Sequence, residues 1–290
     1  MSFHDVLHVI LHALKDSALI LPFLFLTYLL MEMLEHKAGN GVEKAIQKAG
    51  RVGPLAGGAL GLVPQCGFST VAAGFYAGRV VSVGTLLSVF LATSDEMLPV
   101  MLGARVGAGK ILTVLALKLG IAVLVGFLAD LFWRRREADL HVEGLCEEEG
   151  CGCGEKGVWR STLYHTLHIF AFVLLFNLLI GFALELVGEE ALGSVMRDIP
   201  VLGQLIAALV GLIPNCAASV AIATLYTKGV ISAGAMLAGL LTGAGAGLLV
   251  LFRTNKKMKE NLAIVGVLLA TGVLFGTLLD LTGLGFALGL

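Results

Sequence analysis

Long apolar stretches separated by brief polar ones dominate the 290-residue chain. Residues 17–35, 80–102, 111–132, 166–187, 230–252 and 262–282 are each apolar over about 20 positions, the length a helix rising about 1.5 Å per residue needs to cross a bilayer. Four shorter apolar arms, 52–63, 69–78, 201–213 and 219–227, reach only about halfway. Each pair of arms flanks a proline, Pro64 or Pro214, which predicts a broken segment. At the start of the chain, Phe3, Val6, Leu7, Ile10, Leu11 and Leu14 recur at helical spacing opposite His4, Asp5, His8, His12, Lys15 and Asp16. That stripe predicts a helix over 1–15 lying on the membrane surface, and its charges argue against a cleavable signal peptide.

The pattern occurs twice. Gly61-Leu62-Val63-Pro64-Gln65-Cys66-Gly67-Phe68-Ser69 returns 150 positions later as Gly211-Leu212-Ile213-Pro214-Asn215-Cys216-Ala217-Ala218-Ser219. The same offset pairs Glu35 with Glu185, Gly53 with Gly203, Tyr76 with Tyr226, Ser82 with Ser232, Gly84 with Gly234, Gly126 with Gly276 and Asp130 with Asp280. Shared composition explains scattered Leu and Gly matches, but not one register held this long. The chain therefore divides into a first membrane repeat (1–133), a hydrophilic linker (134–160) and a second repeat (161–290).

Basic residues accumulate at cytoplasmic helix ends, and here they cluster at Lys37/Lys44/Lys48/Arg51, Arg134/Arg135/Arg136 and Arg253/Lys256/Lys257/Lys259. Placing all three clusters inside requires each proline-broken pair of arms to return to the side it entered. The expected fold is then an all-α polytopic membrane protein. It has two inverted-topology repeats of about five helices, each with a proline-broken re-entrant hairpin, both termini outside and the 134–160 loop in the cytoplasm of a cell with the chain in its plasma (inner) membrane. Arg105 and Lys110, on an outside loop, fit this assignment least well.

Composition agrees: 57% of residues are hydrophobic, 14% are charged, and mean hydropathy is +0.92. The net charge of −1 gives no basic face for nucleic acid. Of the 38 glycines, Gly272 and Gly276 stand four apart, a spacing that suits close helix contact within the monomer or across a homodimer. The partners expected are the lipid bilayer and a transported ion or small solute, with no cofactor.

In lipid, a broken helix at membrane depth is tolerated only where it lines a cavity or is buried in protein. The two broken tips would surround a central site with freed carbonyls and N–H groups, together with Gln65, Cys66, Ser69, Asn215, Cys216 and Ser219. A plainer reading makes Ser69 and Ser219 helix caps and the cysteines small apolar residues. The stretch Thr93-Ser94-Asp95-Glu96 sets two carboxylates deep inside an apolar segment, where they face a water-filled cavity, a cation or a buried base. A plainer alternative ends the span near Thr93 and leaves the acids at an interface. The counterpart, Thr242-Gly243-Ala244-Gly245-Ala246-Gly247, has no acid, and its glycines favour unwound or closely approached backbone. Lys118 has no charged counterpart, since Leu268 stands at its equivalent. It either snorkels to the outer surface, the first expectation, or pairs with Asp95 or Glu96 and exchanges that pairing for substrate or proton. In the linker, Cys146, Cys151 and Cys153 beside glutamates suit a soft or borderline metal without defining a tetrahedral site. In a cytoplasmic loop these thiols stay reduced.

Pro64-Gln65-Cys66-Gly67-Phe68-Ser69, Pro214-Asn215-Cys216, Thr93-Ser94-Asp95-Glu96 and Glu35-His36-Lys37 together resemble a prokaryotic family of ten-transmembrane-helix heavy-metal exporters. Its members are labelled manganese transporters or arsenic efflux proteins. The resemblance covers nearly the whole chain outside 134–160 and implies transport more firmly than it implies a substrate. The change of Gly67 to Ala217 and the absence of acids from the second half mean that the halves cannot have equal roles.

The expectation is a secondary transporter exporting a divalent metal, Mn2+ first, by proton-coupled alternating access. Asp95 and Glu96 would be ligands or the coupling pair, joined by Lys118 in coupling and by Cys66 and Cys216 where the ion is softer. An alternative is an arsenical or organic acid held at helix N-termini, and another is a membrane metal sensor working through the cysteine loop. No Gly-x-x-x-x-Gly-Lys-Ser/Thr loop couples this chain to ATP, and no nucleophile elbow or zinc-protease motif suggests an enzyme.

Overall fold

The computed structural model describes residues 52–63, 67–94, 97–133, 158–187, 201–283 and 285, with helical positions between 7 and 29. Among the described residues the ordered elements are all helices. In chain order they are α1 (Gly53–Gly61), α2 (Gly67–Ala77), α3 (Val83–Ala92), α4 (Met97–Gly103), α5 (Ala108–Trp133), α6 (Val158–Val187), α7 (Leu202–Gly211), α8 (Cys216–Thr227), α9 (Ala233–Thr242), α10 (Ala246–Thr254) and α11 (Met258–Leu281). The starts of α3, α5, α9 and α11 keep the offset of the sequence repeat. α6 begins inside the stretch read from sequence as linker. Phe25 packs its ring 6.0 Å from that of Trp159, which joins the first apolar segment to the start of α6.

Local chemistry sets these boundaries. α1 ends at Gly61 and α7 at Gly211, just short of Pro64 and Pro214, because a proline has no N–H to continue the ladder and restricts the residue before it. Ser82 and Ser232 cap α3 and α9, accepting from the N–H groups of Thr85 (3.2 Å) and Ala235 (3.0 Å). Each cap is locked to the long helix of its own half. Asp130 accepts from Ser82 Oγ (2.9 Å) and Gly84 N (2.8 Å), and Asp280 from Ser232 Oγ (2.6 Å) and Gly234 N (2.9 Å).

Four apolar stretches are long enough to cross a membrane: Val83–Gly103, Ala108–Trp133, Ala233–Thr254 and Met258–Leu281. Two of these are interrupted, which corrects the expectation of continuous spans over 80–102 and 230–252. In the first, the Thr93 hydroxyl turns back to the Val89 carbonyl (2.7 Å) and the Ser94 hydroxyl to that of Ala92 (2.8 Å), giving partners to carbonyls at the end of α3. In the second, Gly245 takes φ 54° and ψ −144°, a conformation essentially reserved for glycine.

Glycine contacts fix how helices pair. Gly53 lies against Thr85, Gly57 against the Thr85 carbonyl and Val89, and Gly61 against the Val89 carbonyl and Ala92, so α1 and α3 run in the same direction. Gly84 meets the Gly126 carbonyl and Asp130, while Ser88 Oγ donates to the Ala122 carbonyl (2.9 Å), so α3 and α5 are antiparallel. In the second half Gly234 meets the Gly276 carbonyl and Asp280, and Gly272 meets the Ala238 carbonyl. Gly272 and Gly276 are thus spent on contacts inside the chain, not held in reserve for a partner copy.

The halves exchange elements. α2 packs on α10, with Ser69 against Gly247 at one end and Tyr76 and Arg79 against Glu260, just beyond α10, at the other; α8 packs on α4. One apolar core accordingly joins Ala73, Tyr76 and Phe90 to Leu248 and Leu251, and another joins Met97 and Met101 to Ile222 and Leu225. The α9–α10 stretch is 94% buried, against 33% for α5 and for α11, so a broken helix forms the centre and the unbroken ones the apolar periphery.

Candidate functional site

The two interruptions meet through one side chain. Lys118 enters from the middle of α5, is fully buried, and donates its ammonium to the carbonyl of Thr93 and to that of Leu240 (2.8 Å). Thr93 follows the last residue of α3, and Leu240 lies in the last turn of α9. Both carbonyls therefore belong to the negative ends of helices, where a cation is stabilised in a setting of low dielectric. The expectation that Lys118 snorkels outward is corrected: its stem packs within the bundle and its charge is held at the centre. Sequence alone favoured snorkelling because the carbonyls that receive the ammonium come from elements far away in the chain.

The serines of the broken arms gather at the second interruption. A methyl group on Gly247 would come within 2.7 Å of Ser69 Cβ, and one on Gly243 within 3.1 Å of Ser219 Oγ. Ser69 is buried on the third residue of α2, and Ser219 is half-buried in the first turn of α8. Neither position is the cap of α8, since that place is taken by Asn215, whose side-chain oxygen accepts from Ala217 N (2.9 Å). The capping role considered for Ser219 is thus corrected. Thr242 closes α9 by donating to the Ala208 carbonyl (2.8 Å), which ties the break to α7.

Of the residues singled out from sequence, Ser69, Ser94, Lys118, Asn215 and Ser219 are described, and the contacts above bring Ser69 and Ser219 to the 243–247 stretch and Lys118 to both interruptions. Ser94 is buried beside Thr93. Gln65, Cys66, Asp95, Glu96, Cys146, Cys151 and Cys153 lie outside the described residues, as does the side chain of Cys216. Among the described residues no three His, Cys, Asp or Glu side chains form a cluster able to hold a metal ion. Among the described residues, two backbone carbonyls receive the Lys118 ammonium, and the Ser69 and Ser219 side chains stand against the 243–247 stretch. Sequence reasoning missed the Thr93 and Leu240 carbonyls; aligning the two interruptions at the repeat offset, Thr93 with Gly243, is the signal that points to them.

At the far end of α2, Glu260 accepts from Arg79 (3.0 Å) and from the Tyr76 hydroxyl (3.2 Å). Burial alone would depress the Arg79 pKa, but the facing Glu260 carboxylate together with Tyr76 outweighs it and raises the value above the ordinary one.

Residues 164–286 match a family described as "Putative, 10TM heavy-metal exporter", the family that the sequence motifs resemble. No curated protein and no solved structure matches the chain. With that family and four apolar helices of membrane length, the molecule is a multi-pass membrane protein in contact with lipid.

Proposed function

We propose, taking the match of residues 164–286 to a heavy-metal exporter family as premise, that the chain is a secondary transporter carrying a divalent metal ion, Mn2+ first, out of the cell. Its site lies where the two interrupted helices meet. The observation that carries this reading is the Lys118 ammonium joining the end carbonyls of α3 and α9. Helix-end carbonyls that receive an ammonium support reading the centre as a place suited to cations.

Asp95 and Glu96 follow Thr93 directly and would supply the charge that a divalent ion requires, with Ser69, Ser219 and freed carbonyls completing an oxygen shell. Two carboxylates and one ammonium leave a formal charge of −1, which a divalent ion overturns to +1. Entry of the metal would repel the ammonium, and protons arriving on the carboxylates would release the metal. Exchange of metal for protons across the membrane then needs no nucleotide. Cys66 and Cys216, beside Gln65 and Asn215 at the arm junctions, would tune the site toward softer ions.

Alternating access fits an inverted pair of repeats. The helix directions support the inversion: α1 and α3 agree in direction, the short 78–82 connector turns α2 back against α3, and α2 runs along α10 from Ser69–Gly247 to Arg79–Glu260. On that reading α3 and α10 point oppositely, and α1–α2 and α7–α8 are re-entrant hairpins whose tips meet at mid-depth.

The deciding experiment compares Mn2+-dependent thermal stabilisation of the detergent-purified protein with that of Asp95→Asn/Glu96→Gln. The proposal expects the stabilisation to vanish in the double variant, and equal shifts would refute the carboxylate site. A second reading rests on Ser69 and Ser219 lying close to the N-terminal ends of α2, α8 and α10, which would favour an arsenical or an organic acid. Stabilisation by arsenite or a carboxylate, with none by Mn2+, would select it.

A further inference from the structure

At the end of α10, away from the central site, one cation has no acid. Arg253, in the last turn of that helix, donates from its guanidinium to His168 Nε2 on α6 at 2.5 Å. Among the described residues that imidazole is its one polar partner. A guanidinium can only donate, so His168 accepts at Nε2 and carries its proton on Nδ1. Arg253 is half-buried and His168 exposed, and the Tyr164 ring stacks on the imidazole with centroids 6.1 Å apart. A guanidinium has more N–H groups than one imidazole can receive. Partly withdrawn from water at the edge of an apolar stretch, beside a neutral partner, its charge is costly unless an anion answers it.

The loop that follows adds charge of the same sign. Asn255 and Asn261, both buried, clamp it: Asn255 Nδ2 donates to Asn261 Oδ1 (2.7 Å), and Asn261 Nδ2 to the Asn255 carbonyl (2.8 Å). Lys256, Lys257 and Lys259 stand exposed on the turn so fixed. The acid of this loop, Glu260, already accepts from Arg79 and Tyr76. At the repeat offset Arg253, Lys256, Lys257 and Lys259 correspond to Gly103, Val106, Gly107 and Gly109, so these charges are peculiar to the second half. Apolar surface borders His168 along α6, where Leu163 and Leu167 are exposed.

We propose that Arg253 and His168 form a seat for the phosphate of an anionic phospholipid, with the loop lysines drawing the headgroup in. The guanidinium fork suits two oxygens of one phosphate, and the Nδ1–H of His168 is a further donor. His168 stands at the start of the apolar stretch 166–187 and Arg253 just past the end of 230–252, the level at which headgroups lie. A free phosphate would meet the same donors but gain nothing from Leu163 and Leu167, so the apolar border selects the lipid. The seat rests on reading the basic clusters as cytoplasmic, where the leaflet is negatively charged, and is independent of the transported species.

The test adds phosphatidylglycerol, phosphatidylcholine or inorganic phosphate to purified full-length protein in detergent micelles and follows thermal unfolding. Phosphatidylglycerol at about a tenfold excess over its Kd should raise the midpoint by about 3 °C relative to phosphatidylcholine, and inorganic phosphate should leave it unmoved. Arg253→Gln and His168→Leu should each remove the difference, while Arg105→Gln, on the corresponding first-half loop, should keep it. Association of spin-labelled lipids with the protein in vesicles reads the same preference without unfolding, which keeps the test valid if a variant is less stable. There the preference for phosphatidylglycerol should fall about fivefold in Arg253→Gln, the scale of one cation at a membrane surface. His168→Leu retains the charge of Arg253, so its loss of preference separates a built seat from a diffuse basic surface. Equal midpoints in the two lipids for wild type, or a preference that Lys257→Gln lowers as much as Arg253→Gln while His168→Leu leaves it unchanged, would overturn the proposal. Equal stabilisation by inorganic phosphate would overturn it as well, by making the ligand a free anion.

Discussion

The interruption between α3 and α4 reads Thr93-Ser94-Asp95-Glu96, and that between α9 and α10 reads Gly243-Ala244-Gly245. Both follow a ten-residue helix capped by serine at its start, and both lie at the same place in the repeat. They leave the helix by different means. The first uses hydroxyls that fold back on end carbonyls, and the second uses a glycine with positive φ. In sequence the first carries hydroxyl and acid residues, whereas the second carries glycines that let Ser69 and Ser219 come close. The repeat supplies two equivalent weak points, and divergence gave one of them acids in its sequence and the other glycines.

Removing the acid pair should have the largest effect. Asp95→Asn/Glu96→Gln is expected to lower metal transport in proteoliposomes by about 100-fold or more, the scale on which losing groups around a metal costs affinity or activity. An unchanged rate would leave the two interruptions functionally alike. Lys118→Met takes a buried ammonium from two carbonyls at once and should cost about 3 kcal/mol in unfolding free energy. Leu268→Met, at the equivalent place in the second half, should cost under about 1.5 kcal/mol. Gly245→Ala should lose about 1–2 kcal/mol through its positive φ, with the loss read by thermal unfolding. The smallest change is Glu260→Gln, which weakens a partly exposed ion pair with Arg79 and should cost about 0.5 kcal/mol, less in high salt.

Much of the fold could be read from the chain because its signals are local or periodic. Apolar length marked the spans, Pro64 and Pro214 marked the arm ends, and one offset linked the halves. The interruption at Thr93 was harder to read, since apolar residues continue on both sides and hydropathy does not register a hydroxyl returning to a carbonyl one turn back. The glycines at 243, 245 and 247 did announce an unwound backbone. The carbonyl partners of Lys118 could not be read at all, because Thr93 and Leu240 are 25 and 122 residues away. The exchange of α2 and α8 between halves was equally hidden, as both helices are apolar on several faces and sequence does not say which partner each one meets.

The most direct test is a structure of the protein with Mn2+ bound, in which anomalous scattering locates the metal without reference to any side chain. The account predicts one strong peak between residues 93–96 and 243–247, close to Ser69 and Ser219, with Lys118 drawn away from the Leu240 carbonyl. A peak confined to the Cys146–Cys153 loop, with the interrupted helices empty and Lys118 unmoved, would contradict it.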